Sequence, residues 1–145
     1  MNIPTIEDAI ALAVEAHRGA TSKGGEPYIL HVLRVMLAQK SEEARRVAVM
    51  HDVVEDTSIT LEDLRRRGFP ERELAAIDAL TRRKDSETYE EFIARVKTNP
   101  LARRVKLADL ADNLDVRRLA VVDEEARARL ERYRRALREL EPEHR

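Results

Sequence analysis

The chain contains no cysteine and no tryptophan. Disulfides and thiol chemistry are therefore excluded, and any metal site must be built from His, Asp and Glu. Aromatic residues make up only 3% of the 145 positions, so the core has to rest on Leu, Val, Ile and Ala. Glycine and proline are scarce, and little of the two-residue alternation of strands is visible. There is no excess of either charge: 27 Lys and Arg face 28 Asp and Glu, for a net charge of −1. A dedicated nucleic-acid binder usually carries a clear basic surplus, so no nucleic-acid partner is expected. No apolar run approaches the roughly 18 residues that a membrane span needs. Residues 1–10 carry acids and lack a basic start, so they do not read as a signal peptide. The expectation is a protein with no membrane partner, located in the cytoplasm.

What the chain does have is a dense supply of helix formers punctuated by caps. Thr5 with Asp8, Thr60 with Asp63, Ser41, Thr88, Asn99-Pro100 and Asp123 each mark a helix start. Gly19 and Gly68 mark ends. The spacing predicts an all-α, compact single-domain bundle of seven or eight helices over 1–145. Its core covers about 5–140, and the tail 141–145 should fray. The third helix is predicted over 42–55, the loops over 22–27 and 82–87, and the last helix from 123 to about 140.

The third helix carries the chemistry. Val47, Ala48, Val49, Met50, Val53 and Val54 make it apolar nearly all round, which marks it as buried. Into it are set His51, Asp52, Glu55 and Asp56. At about 100° per residue these four share one broad side of the helix. Three carboxylates crowded in an apolar setting repel each other, and a bound divalent cation is the simplest way to offset that. The plainer alternative is a hydrogen-bonded core histidine followed by a solvated helix end. His31, at the start of the second helix, reads alone as a surface histidine. Asp109 and Asn113 lie one turn apart, off the Leu107, Leu110, Leu114 stripe, and read alone as part of an ordinary amphipathic helix.

Taken in order, His31, His51-Asp52 and Asp109 match the H…HD…D signature of the HD-domain phosphohydrolases. The finer pattern is Gly25-Glu26-Pro27-Tyr28-Ile29-Leu30-His31, His51-Asp52-Val53-Val54-Glu55-Asp56-Thr57, Leu80-Thr81, then Lys106-Leu107-Ala108-Asp109 with Asn113. It resembles the (p)ppGpp hydrolase domain of the RelA/SpoT enzymes, most of all the stand-alone small alarmone hydrolases of the metazoan SpoT-homologue kind. The resemblance implies one divalent metal ion, usually Mn2+, held by His31, His51, Asp52 and Asp109. It implies that Glu55 and Asp56 act on the attacking water and on proton transfer, with crowding pushing one of their pKa values upward. It implies a guanosine tetra- or pentaphosphate substrate losing its 3′ diphosphate as pyrophosphate. Arg18, Lys23, Arg82, Arg83, Lys84, Asn113 and Tyr133 are the expected substrate contacts; each of the basic residues could equally be a solvated charge, and Tyr133 a packing residue. His17 is expected to be structural, and His144 to lie idle in the tail.

The pattern has departures. Val32 stands where the family has Pro, Met50 where Leu is common, and Leu114-Asp115 where Leu-Arg is usual. The loop between Arg18 and Tyr28 is short. Another phosphorylated nucleotide therefore stays open as substrate, such as an adenine alarmone, NADPH or a nucleoside monophosphate. So do an inactive nucleotide-binding module and a homo-oligomer.

Overall fold

The computed structural model describes residues 2–119 and 121–142, so His144 lies outside the described residues. They form nine α-helices and one 3-10 turn. The helices are α1 (Ile6–His17), α2 (Tyr28–Leu37), α3 (Glu42–Met50), α4 (Val53–Asp56), α5 (Leu61–Arg66), α6 (Glu71–Ala79), α7 (Tyr89–Lys97), α8 (Pro100–Asn113) and α9 (Glu124–Leu140); the 3-10 turn is Val116–Arg118. All eight expected helices are there, and the third is divided in two. Among the described residues, no helix is long and apolar enough to cross a membrane.

The starts follow from local chemistry. Thr5, Thr60 and Thr88 each form a reciprocal capping box, with Asp8, Asp63 and Glu91. Ser41, Asn99 and Asp123 accept from the third residue beyond them. Each cap satisfies amide groups that the helix leaves without partners.

α3 is the inner helix. Val47, Ala48, Val49 and Met50 are wholly buried, and α3 packs against α1, α2, α6 and α8. α8 in turn meets α2, α7 and α9. So α2, α3 and α8 touch one another pairwise, and the place where they meet is where the chemistry-bearing residues gather. The helix expected over 42–55 breaks at His51-Asp52, which form a turn. His51 N–H donates to Ala48 three residues back, at 3.4 Å, and Asp52 sits at φ −103°, ψ 0°. The apolar pattern continues across the break, which is why the sequence does not reveal it. From this turn His51 reaches Asp109 of α8, and Asp52 meets Tyr28 of α2.

Candidate active site

His31 stands in the first turn of α2, His51 and Asp52 at the break after α3, and Asp109 in the last two turns of α8. One ligand atom from each lies within 4.8 Å of the others. His31, His51 and Asp109 are 4% exposed or less. His31 Nε2 lies 2.8 Å and His51 Nε2 3.2 Å from the same oxygen, Asp109 Oδ1. His51 Nε2 also lies 3.0 Å from Asp52 Oδ2.

The outer nitrogens decide the tautomers. His51 Nδ1 is 2.6 Å from the Ala48 carbonyl, which can only accept. His31 Nδ1 is 2.6 Å from Asp112 Oδ2, again an acceptor. Both Nδ1 atoms therefore carry the proton, and a neutral ring at either position turns its Nε2 lone pair inward. That is how metal-ligating histidines are held. Without a cation, such lone pairs would face carboxylate oxygens, and the rings bind protons instead. Burial opposes this, yet the Asp52 charge and hydrogen bonds to Asp109 and Asp52 raise His51 well above the usual histidine range. Burial likewise works against ionisation of Asp109, but Lys106, then His31 and His51, hold it well below the usual carboxylate range. Two imidazoles and two carboxylates are a mixed N/O set that suits a borderline divalent cation, and the inward-facing Nε2 atoms fit one.

Several supports were not singled out from the sequence. The Tyr28 hydroxyl donates to Asp52. Lys106 Nζ reaches Asp109 Oδ2 at 2.8 Å from one turn before it. Asp112 is itself gripped by Arg34, whose Nε lies 2.7 Å from Oδ1, and by Arg118 at 3.0 Å. The i, i+3 spacing of Lys106 and Asp112 from Asp109 could have pointed to them.

Two hollows that share lining residues open on the cluster. The inner one, about 190 Å3, is lined by Asp52, Glu55, Asp56, Arg82, Lys84 and Asp109 among others. The outer one, about 210 Å3, is lined by Lys23, His31, Arg34, Asp112 and Arg118 among others. Tyr28, Asn113 and Tyr133 border both. Larger hollows of about 700 and 760 Å3 lie on other faces and touch none of the four clustered residues, so volume does not decide the site. The 22–27 loop closes the outer hollow. A side chain at Gly24 would meet the Arg118 carbonyl at 1.9 Å, so only glycine lets this loop lie against the 3-10 turn.

The acidic pair flanks the cluster. Burial, then the charges of Asp52 and Glu55, push the Asp56 carboxyl up to about 6. Glu55 accepts from the Arg82 backbone N–H at 2.7 Å, which ties it to the loop after α6. Of the expected substrate contacts, Lys23 borders the outer hollow, Arg82 and Lys84 the inner, and Asn113 and Tyr133 both. Asn113 Nδ2 also lies 3.3 Å from Asp109 Oδ1. Arg18 and Arg83 are not brought in. Arg18 is 68% exposed and bonds to Glu15 at 3.1 Å, and Arg83 bonds to Asp78 at 3.3 Å; neither borders either hollow. His17 packs against the Tyr28 ring at 5.1 Å and stands behind the cluster. Asp115, the acid found in place of a base, is paired with Arg117 and Arg118 at 2.7 and 3.0 Å.

No family profile matches the chain. Individual relatives do. A guanosine-3′,5′-bis(diphosphate) 3′-pyrophosphohydrolase of Aquifex aeolicus is 32% identical over 136 residues, covering 86% of this chain and 19% of that protein. A GTP pyrophosphokinase of Streptomyces coelicolor is 33% identical over 75% of this chain and 14% of its own length. The bifunctional (p)ppGpp synthase/hydrolase SpoT of Escherichia coli K12 is 39% identical over 66 residues, 43% of this chain and 9% of that protein. The chain thus spans about a fifth or less of the length of these relatives. Among solved structures, a chain described as a metazoan ortholog of SpoT that hydrolyzes ppGpp superposes with a TM-score of 0.78. It is 24% identical, and the match covers 97% of this chain and 88% of that one. In sequence over most of its length, and in fold over nearly all of it, this chain is an HD-type relative of the RelA/SpoT proteins.

Proposed function

We propose that the chain is a metal-dependent pyrophosphohydrolase that removes the 3′ diphosphate of guanosine tetra- and pentaphosphate alarmones, with Mn2+ as the cation. The observation that carries this reading is the convergence of His31, His51, Asp52 and Asp109 within 4.8 Å, with both inner nitrogens turned toward the carboxylates. The names of the relatives from Aquifex aeolicus and Escherichia coli support the substrate. A cation held there would supply positive charge for phosphoryl oxygens and lower the pKa of an adjacent water.

The rest of the chemistry falls to the chain's own groups. In the net reaction water adds to the phosphorus next to the 3′ oxygen, the bond between them breaks, and the 3′ oxygen takes up a proton. Glu55, fixed by the Arg82 N–H through one oxygen, offers its other oxygen to the water's proton. Asp56, titrating near 6, is suited to exchanging a proton close to neutral pH. Lys23, Arg82 and Lys84 offset the charge of the polyphosphate, and Asn113 and Tyr133 stand where the two hollows join to orient the nucleoside. Nucleic acid and membrane play no part in this reading, which places the enzyme in the cytoplasm.

The test is turnover by the purified, Mn2+-loaded chain of ppGpp, pppApp, NADPH and nucleoside monophosphates side by side, with product identification and elemental analysis. Pyrophosphate and GDP from ppGpp are expected. Dominant release of phosphate from plain monophosphates would overturn the proposal.

A further inference from the structure

The far wall of the inner hollow holds a group that neither the sequence pattern nor the acid–base set explains. Tyr89, the first residue of α7, is flanked by two guanidinium groups. Arg82 lies 5.4 Å from its ring centroid and Arg132, from α9, lies 5.1 Å from it. Arg132 also lies 5.7 Å from the Tyr133 ring. All three border the hollow that contains Asp52 and Asp109. Arg82 Nε, Arg132 Nε and the Tyr89 hydroxyl are each buried and have no hydrogen-bond partner within the protein. Three buried polar groups without partners in one place are unusual, because native proteins satisfy nearly all such groups.

Elsewhere this chain pairs its arginines freely. Arg46, Arg65 and Arg95 each meet a carboxylate in two-point contact. Around Tyr89 the guanidinium groups rest on aromatic faces instead. That arrangement holds a cation in place without using up its N–H groups. An acceptor with several oxygens and negative charge would suit two guanidinium groups held this way. A guanidinium fork matches the oxygens of a phosphoryl group.

We infer that Arg82, Tyr89 and Arg132 form a clamp for the outer phosphoryl group of a diphosphate whose inner phosphoryl group faces the His/Asp cluster. This inference rests on the pyrophosphohydrolase reading for the identity of the substrate, but its test does not. The clamp gives the departing pyrophosphate a fixed place and sets the substrate's diphosphate along the axis of the inner hollow. Tyr89 and Arg132 are its new members. Arg82 joins them through its side chain while its backbone N–H holds Glu55, so the same residue links the clamp to the acidic pair.

The experiment is calorimetric titration of the full, metal-free chain with inorganic pyrophosphate, with orthophosphate as comparator. The parent chain is expected to bind pyrophosphate more tightly than orthophosphate. Arg132→Gln should weaken pyrophosphate binding about tenfold, and Tyr89→Phe about threefold, as expected for lost hydrogen bonds to a charged group. Arg132→Lys should recover part of the loss by restoring charge without the fork. The thermal midpoint should hold in Tyr89→Phe, which loses only a hydroxyl without a partner in the protein, and should fall slightly in Arg132→Gln, which loses its stacking on Tyr89 and Tyr133. Unchanged pyrophosphate affinity in Arg132→Gln and Tyr89→Phe would overturn the inference, and so would no binding by the parent or equal binding of orthophosphate. The two readings fail separately. A chain inert toward ppGpp whose pyrophosphate affinity still drops in Arg132→Gln keeps the clamp and loses the alarmone. A chain that turns over ppGpp with pyrophosphate affinity unmoved loses the clamp alone.

Discussion

α3 and the turn that follows it bury charge in opposite ways. Halfway along the helix, Arg46 meets Glu73 of α6 in a two-point contact at 3.0 and 2.8 Å, and Glu73 is 1% exposed. Both Glu73 oxygens are taken by Arg46, so the two charges complete one another. Past its end, His51 and Asp52 face His31 and Asp109 with two Nε2 atoms crowding one carboxylate oxygen. The helix is the same and the depth is similar. A closed pair holds structure together, whereas an open cluster stores affinity for something absent from the chain. Burial of charge thus identifies a site only when the partners fail to complete one another.

The largest effect should come from breaking the open cluster at its shared atom. Asp109→Asn takes charge from the oxygen contacted by His31, His51 and Asn113. Mn2+ affinity should fall by more than the roughly 100-fold that loss of an outer partner costs. Turnover should be lost with it. Saturating Mn2+ at about 100 times Kd should stabilise the parent by about 2.7 kcal/mol and leave the variant unmoved. Equal Mn2+-induced shifts in Tm would refute the ligand set. Next is Glu55→Gln, which removes a proton acceptor but no ligand: kcat should drop about 100-fold or more, while Mn2+ binding stays as in the parent. Retained turnover would strip Glu55 of its role.

The closed pair should answer differently. Glu73→Ala leaves Arg46 buried without a counterion and should cost about 3–5 kcal/mol, a fall in Tm of roughly 10 °C. The folded fraction should bind Mn2+ as before. The double variant Arg46→Met, Glu73→Leu should recover most of the loss, since a well-packed apolar pair replaces a buried ion pair at little cost. If the double variant instead lost Mn2+ affinity, the closed pair and the open cluster would not be independent.

The contrast was only half legible in the sequence. Helix starts could be read because caps act within three residues, as Thr5 with Asp8 and Thr88 with Glu91 show. The four clustered residues could be read because their order and types match a known pattern. The break at His51 could not, since Val53 continues the buried apolar run of Val49. The roles of Tyr28 and Asp112 could not, because they depend on how α2 crosses α8. Tyr89 and Arg132 come from different helices and share no motif with the cluster. Arg18 and Arg83 show what spacing leaves out: a basic residue in the expected loop can pair with its own neighbour, here Glu15 or Asp78.

A smaller effect concerns the loop that carries Arg82 and Lys84. Hydrogen bonds from Arg95 at 2.8 and 2.9 Å hold the Glu87 carboxyl down at about 2. An unfolded glutamate titrates near 4.3. A depressed folded value stabilises above the unfolded one and loses that contribution as pH falls toward the folded one. Glu87→Gln should therefore lower Tm at pH 7, with the gap from the parent closing between about pH 4 and pH 2. A gap independent of pH would mean that Glu87 acts by packing alone.

The smallest effect is expected one residue from a large one. Arg82 and Arg83 are adjacent, equally basic and equally placed in a loop next to the cluster. The Arg82 side chain borders the inner hollow with its Nε unpartnered. Arg83 turns to Asp78, about half exposed. Arg82→Gln should raise KM for ppGpp about tenfold, the scale of one lost charge-assisted hydrogen bond. Arg83→Gln should leave KM and kcat within about twofold of the parent, as an exposed ion pair contributes little. Steady-state kinetics on the two variants at fixed ionic strength would separate them. Equal rises in KM would mean that the loop acts as a diffuse positive field and that the direction of a guanidinium counts for nothing. Divergence would show that the acceptors available to each arginine, rather than its place in the sequence, decide which one meets phosphate.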